Sequence, residues 1–244
     1  MTQLALNAIH SSWKECFSTA FQSVDSNYLQ LLMKDDSWLP GPDKIFSAFS
    51  IPLPQVKRIL VGESPYPRQQ SANGYAFWDG AVGEIWADEN KLSKKVNRAT
   101  SLRNFIKMLL KAEGRKPEQS VQTLSALFEN LLGHGFLLLN ASLVLHPTRK
   151  VQEDAKQWRN FIQVILNKVY EVNPKVELIL FGKIAQQILP LLKYPFKIIQ
   201  AEHPYNLSFI ENPLVLEYFR PLRILKADQN SNIDKSRQTS YQSL

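Results

Sequence analysis

Four short apolar runs, "VKRILVG", "FLLLN", "VELILFG" and "FKIIQA", recur along the chain, and each stops at a glycine, an asparagine or a polar turn. Between them lie longer stretches with apolar residues at helical spacing: "SLRNFIKMLLKAEG" and "SVQTLSALFENLLGHG", then "DAKQWRNFIQVILNKVYEV", then "KIAQQILPLL". Runs this short and uniformly apolar read as strands buried on both faces. Their alternation with helices predicts an α/β fold, a single domain with a central, mostly parallel four-stranded sheet flanked by helices. The domain is expected over residues 1–225, within the size one core can organise. Two helical segments, "WKECFSTAFQSV" and "YLQLLM", precede the first strand, followed by a Pro/Gly loop and a short helix around Phe46. Gly114 is placed to end one helix, and Ser120 or Thr123 to begin the next. Residues 226–244, "KADQNSNIDKSRQTSYQSL", are polar and aperiodic and read as a disordered tail.

In sheets of this kind the ligand site lies beyond the carboxyl ends of the strands. Those ends read "GESPYP", "LLLNAS", "LFGK" and "AEHPYNLS", so polar and turn residues gather at one end of all four strands. The single cysteine, Cys16, excludes an intramolecular disulfide and any cysteine-rich zinc or iron–sulfur spacing, and fits a reducing, cytoplasmic compartment. No metal and no cofactor are expected. The apolar runs fall well short of the roughly 18 residues of a membrane span, and the first residues lack a signal-peptide pattern, so a soluble protein without a membrane partner is expected. The net charge of +7 is concentrated. Nine basic residues lie between Lys91 and Pro117 against Glu113 alone, which leaves the rest of the chain near −1. A basic face of that density suits a polyanion, although charge runs also occur as plain solvated helix faces.

Taken together, the strand ends resemble the uracil-DNA glycosylase superfamily, in particular the branch that writes its water-activating loop GQDPYH. Here Gly62-Glu63-Ser64-Pro65-Tyr66-Pro67 is followed without insertion by Gly74-Tyr75-Ala76-Phe77, as the family's loop is by G-(L)-A-F. Leu137-Leu138-Leu139-Asn140 matches "LLLN", Phe181-Gly182-Lys183-Ile184-Ala185-Gln186 matches "WGxxAQ", and His203-Pro204-Tyr205-Asn206-Leu207-Ser208 matches "HPSPLS". The resemblance covers roughly residues 10 to 225.

The resemblance implies an enzyme that extrudes a nucleotide from DNA and cuts the N-glycosidic bond of its base. By the same resemblance Asn140 reads the uracil edge, Phe77 stacks on the base, and Tyr66 excludes the methyl group of thymine. His203 stabilises the leaving anion, and Leu207 is the wedge that enters the vacated stack. Ser101, Lys183 and Ser208 fall on DNA-gripping positions. The implied partner is single-stranded or duplex DNA containing uracil, bound by a monomer; a replication or repair protein is a further possible partner.

Two departures touch the chemistry. The family's water-orienting aspartate is Ser64, and a neutral hydroxyl cannot supply the full negative charge that an oxocarbenium ion calls for. The histidine after the tyrosine is Pro67, a change that poxvirus relatives share. Glu63 replaces the family's glutamine, and the iron–sulfur branch uses a glutamate at this position. Two readings of Glu63 follow: it takes over the water, or it faces solvent or pairs with a base such as Arg68. Three functions then stand: a uracil-excising glycosylase with Glu63, Ser64 and His203 as its catalytic set; a glycosylase-fold DNA-binding or accessory protein with little catalysis; or a glycosylase for another damaged base.

Overall fold

A computed structural model describes residues 9–227. The tail expected from residue 226 onward lies outside the described residues except for Lys226 and Ala227. Lys226 bridges to Ser120, and its carbonyl accepts from Asn130 Nδ2 at 3.0 Å.

The chain opens with helices α1 (Lys14–Gln22) and α2 (Ser26–Lys34), the second capped by Asp25, whose side chain accepts from the Tyr28 N–H. A 3₁₀ turn at Ser47–Ser50 takes the place of the helix expected around Phe46. Strand β1 (Arg58–Gly62) follows. The basic stretch after it is not a plain linker: it holds a short helix, α3 (Lys94–Arg98), whose Ser93 cap was not read from the sequence. Helix α4 (Thr100–Glu113) ends on Gly114 at φ 60°, as expected of a left-handed cap. Thr123, not Ser120, caps α5 (Leu124–Gly133), which leads into β2 (Phe136–Asn140). The long helix α6 (Val151–Val172) precedes β3 (Glu177–Phe181). Helix α7 (Lys183–Gln186) is a single turn, and a 3₁₀ turn around Pro190 follows it. Strand β4 (Lys197–Ala201) and helix α8 (Pro213–Phe219), capped by Asn212, complete the domain.

The strands order β2-β1-β3-β4, and every pairing is parallel. From β1 the chain moves to one neighbour and then to the other, which opens a crevice at the carboxyl end of β1. Alternate strand residues supply two cores. Ile59, Val61, Leu137, Leu139, Leu178 and Leu180 pack against α1, α2 and α6; Leu60, Leu138, Ile179 and Phe181 pack against α4, α5 and α8. The first core is aromatic, with Phe161 of α6 in ring contact with Phe17, Phe46, Phe49 and Trp158. Covering both faces explains why β1, β2 and β3 are nearly continuous apolar runs. The fourth run departs from that expectation: β4 lies at the sheet edge, and its Lys197, Ile198 and Gln200 are exposed.

The β1–β2 register sets Gly62 level with Asn140. Two further bonds carry the pairing past the strand ends: Ala141 N–H to Gly62 O and Ser142 N–H to Glu63 O, both at 2.9 Å. A side chain at position 62 would bring a Cβ within 2.9 Å of Asn140 Oδ1 and 3.2 Å of both Ala76 Cβ and Phe77 Cε2. Gly62→Ala should therefore destabilise the fold by about 1–3 kcal/mol, the usual cost of overpacking, measured as a lowered urea midpoint with an unchanged m-value.

Candidate active site

A cavity of ≈ 490 Å³ opens at the carboxyl ends of the strands and is lined by Glu63, Ser64, Pro65, Tyr66, Pro67, Phe77, Ser101, Asn140, His203, Tyr205 and Asn206. Seven of the ten residues singled out in the sequence therefore meet in one place. Lys183, Leu207 and Ser208 do not line it. Lys183 is exposed at the start of α7, Leu207 is 70 % exposed, and Ser208 is exposed with its hydroxyl bonded to the Glu202 carboxylate.

The apolar floor is Phe77, whose ring lies parallel to Phe105 at 6.0 Å and edge-on to Phe181 at 6.0 Å. Its backbone sits at φ 63°, a left-handed conformation that costs a bulky residue about 1–3 kcal/mol and is held only by its surroundings. Two bonds supply part of that hold: Ala76 N–H to Leu138 O at 3.1 Å and Tyr66 hydroxyl to Phe77 O at 3.2 Å. Burial keeps the Tyr66 phenol protonated well above its usual range, so it acts as a donor. Asn140, 2 % exposed at the end of β2, has no hydrogen-bond partner for its side-chain amide among the described residues. A buried amide with free donor and acceptor atoms at a cavity wall has the chemistry to read a polar edge.

His203 approaches the floor from the loop after β4, its ring 5.9 Å from that of Phe77. Gly182 lies behind it at φ 93°, and a Cβ there would stand 3.0 Å from His203 Cβ. The Tyr205 N–H donates to His203 Nδ1 at 3.1 Å, which leaves Nε2 as the protonated nitrogen of the neutral ring. Burial lowers the imidazole pKa and so favours that neutral form. The loop is clamped from α4. Asn104, fully buried, donates through Nδ2 to Pro204 O at 2.7 Å and to Tyr205 O at 3.3 Å.

The two polar residues of the first loop differ. The Ser64 hydroxyl reaches only the Pro65 carbonyl, at 3.4 Å. Glu63 is the one carboxylate among the cavity residues, is half-buried, and has no cation or donor on its carboxylate among the described residues. Pairing with Arg68 does not occur: Arg68 reaches Asp79 instead, at 3.2 Å. Burial alone raises the Glu63 pKa. A desolvated, unpaired carboxyl in a cavity marks a working group more often than a structural one. Among the described residues no group of three or more His, Cys, Asp or Glu could hold a metal ion, and no helix is long and apolar enough to cross a membrane.

The sequence model of the uracil DNA glycosylase superfamily matches residues 50–231, most of the chain. The chain belongs to the uracil DNA glycosylase superfamily. The UNG crystal structure from Nitratifractor salsuginis is 34 % identical, covers 93 % of this chain and 96 % of its own, and superposes with a TM-score of 0.81. A uracil-DNA glycosylase of Helicobacter pylori is 29 % identical over 204 residues, 81 % of this chain and 83 % of that protein. One from Enterococcus faecalis is 26 % identical over 206 residues, 82 % of this chain and 83 % of that protein.

Within this superfamily fold, one residue that shapes the site had no reading in the sequence, and two had only a partial one. Asn104 sits among Leu102, Phe105 and Ile106 on the buried side of α4; an amide at a core position of an amphipathic helix is the signal that identifies it. Tyr205 and Asn206 were visible only as part of a matched motif, not as cavity walls.

The burial of Glu63 carries a consequence for stability. A carboxyl whose pKa is raised by folding keeps its proton to higher pH in the folded chain than in the unfolded one. Stability contributed by the neutral form is therefore lost as pH rises from the ordinary carboxylate range through the raised value. Glu63→Gln should accordingly raise the Tm at neutral pH and leave it nearly unchanged below pH about 4, where both states are protonated; a melting series against pH measures this.

Proposed function

We propose that this protein hydrolyses the N-glycosidic bond of a uracil flipped out of DNA, with Glu63 in the role that the family gives to aspartate. The observation that carries the reading is the single unpaired carboxylate sharing a cavity with Asn140, Phe77, Tyr66 and His203. The flipped base lies on the Phe77 ring, and the Asn140 amide donates to uracil O4 and accepts from N3–H. Tyr66 closes the C5 side against a methyl group. As the C–N bond breaks, its electron pair passes to the base, and the neutral Nε2–H of His203 donates to O2 of the forming anion. Glu63 holds the attacking water, offsets the positive charge of the sugar and receives the water's proton as the new C–O bond forms at C1′. Leu207, with 70 % of its surface free, fills the vacated stack. Ser101, Ser208 and Lys183 grip the backbone, aided by the exposed Lys94, Lys95 and Arg98 of α3. The protein acts as a monomer on single-stranded or duplex DNA.

The Ser64 substitution supports a second reading, an accessory DNA-binding protein with little catalysis, and excision assays separate the two. Uracil release from single-stranded and duplex substrates should fall ~10²-fold or more in Glu63→Gln, the usual share of a general base. The wild-type rate should fall on acidification as Glu63 takes up its proton, at a pH above the ordinary carboxylate range, and the residual rate of Glu63→Gln should not follow that limb. A silent wild type that gains activity in Ser64→Asp favours the accessory reading. An active wild type with an unaffected Glu63→Gln returns the water to Ser64.

Binding to duplex DNA should lose affinity with salt. Replacing Lys94, Lys95 and Arg98 together with glutamine should flatten the log Kd–log salt slope by up to about 2–3 units; an unchanged slope would mean that the α3 face makes no phosphate contact.

A further inference from the structure

Beside the base cavity stands an aromatic residue that the proposed chemistry does not use. Tyr205 is 67 % exposed, lines the cavity on the His203 side, and has no partner for its hydroxyl among the described residues. A tyrosine ring offers a large apolar face with a polar tip, which suits it to a surface that is covered on binding. Its backbone, by contrast, is fixed from three sides. Its N–H is held by His203 Nδ1, its carbonyl by Asn104 Nδ2, and the turn that carries it is closed by Asn206, whose N–H and Nδ2 both donate to His203 O, at 2.9 and 3.1 Å. Two residues further on, Leu207 is also exposed. The loop thus presents an open ring on a fixed backbone at the cavity wall, two residues before an apolar tip. Within the matched loop motif, the family writes Ser-Pro where this chain has Tyr205-Asn206, so the ring stands at a position where this chain differs from the motif.

We infer that Tyr205 forms a second nucleobase subsite, a stacking platform for the unpaired base next to the flipped nucleotide. Every base has an apolar face, so such a platform is tolerant of sequence, and it needs a neighbour free of a pairing partner. In single-stranded DNA the neighbouring base is free to turn onto the ring. In a duplex it is held by its own pair and stack. The subsite therefore favours single strands, and because the contact is neutral it changes affinity without changing the salt slope, unlike the phosphate grip of α3. This inference rests on the reading of the cavity as a base-excision site. The Tyr205 backbone N–H that sets the His203 tautomer is kept in any substitution except proline, so the ring can be removed without releasing the imidazole.

The test uses the full chain and a 12-nucleotide strand carrying a tetrahydrofuran abasic site with 2-aminopurine as its neighbour, alone and annealed to a complement. Tyr205→Ala should weaken single-strand binding roughly 5- to 100-fold, the usual range for one base–aromatic stack. The loss on the duplex should be smaller, and the salt slope unchanged. The 2-aminopurine fluorescence, quenched by stacking in the wild-type complex, should rise in Tyr205→Ala and stay quenched in Tyr205→Phe. Equal losses on both substrates, or fluorescence indifferent to the substitution, would overturn the subsite. Uracil release assayed in parallel separates this result from the function. A wild type that releases no uracil but shows the Tyr205-dependent quenching keeps the subsite and loses the excision reading; intact release with indifferent fluorescence does the reverse.

Discussion

The parallel pairing of β1 with β2 brings the end of one strand level with the end of the other, and the site depends on what that level pair is made of. Gly62 has no side chain, so the Asn140 amide and the Phe77 ring can close on the space in front of it. Gly182, at the end of the strand on the other side of β1, leaves the same kind of room for His203. Two missing side chains thus let an amide, a ring and an imidazole converge on one cavity. The hydrogen-bonded frame of the sheet fixes the backbones, and the side chains inherit that precision without a loop having to supply it.

The electrostatics of the cavity follow from the burial of Glu63 and His203 in its walls. Burial lowers the His203 pKa, which favours the uncharged imidazole, and raises that of Glu63. An uncharged imidazole with Nδ1 occupied is a hydrogen-bond donor to a developing anion. A carboxylate without a cation has its charge available for a developing cation. The reaction separates those two charges across one C–N bond. Ser64, whose hydroxyl reaches only a carbonyl next door, offers no comparable group.

The strands, the helices flanking them and the common end where polar residues gather were legible in the sequence because each rests on local periodicity. Short apolar runs marked the strands, with burial on both faces holding for β1, β2 and β3 but not for the edge strand β4, and Gly114 marked the left-handed end of α4. Residues whose importance arises from distant neighbours were not legible. The two carbonyls that Asn104 serves lie about a hundred positions away in the chain. Arg68, adjacent in sequence to the catalytic loop, turned to the buried Asp79 rather than to Glu63, since a fully buried carboxylate needs a partner more than a half-buried one does. The cap of α3 was hidden inside a charge run whose composition drew attention to its sign instead of its shape.

The two cores divide the labour of the molecule. None of the residues lining the cavity comes from α1, α2 or α6, whereas α4 lines it with Ser101 and clamps the His203 loop with Asn104. The aromatic layer built on Phe161 therefore reaches the reaction only through the stability it lends. It is also the natural reserve against the conformational strain at Phe77 and the desolvation of Glu63, both of which weaken the fold. A substitution in that far layer acts on the site through folding alone, and one in the near layer through folding and site geometry together. A chain arranged in this way can carry a strained and desolvated site at one end of its sheet while its other half absorbs the loss.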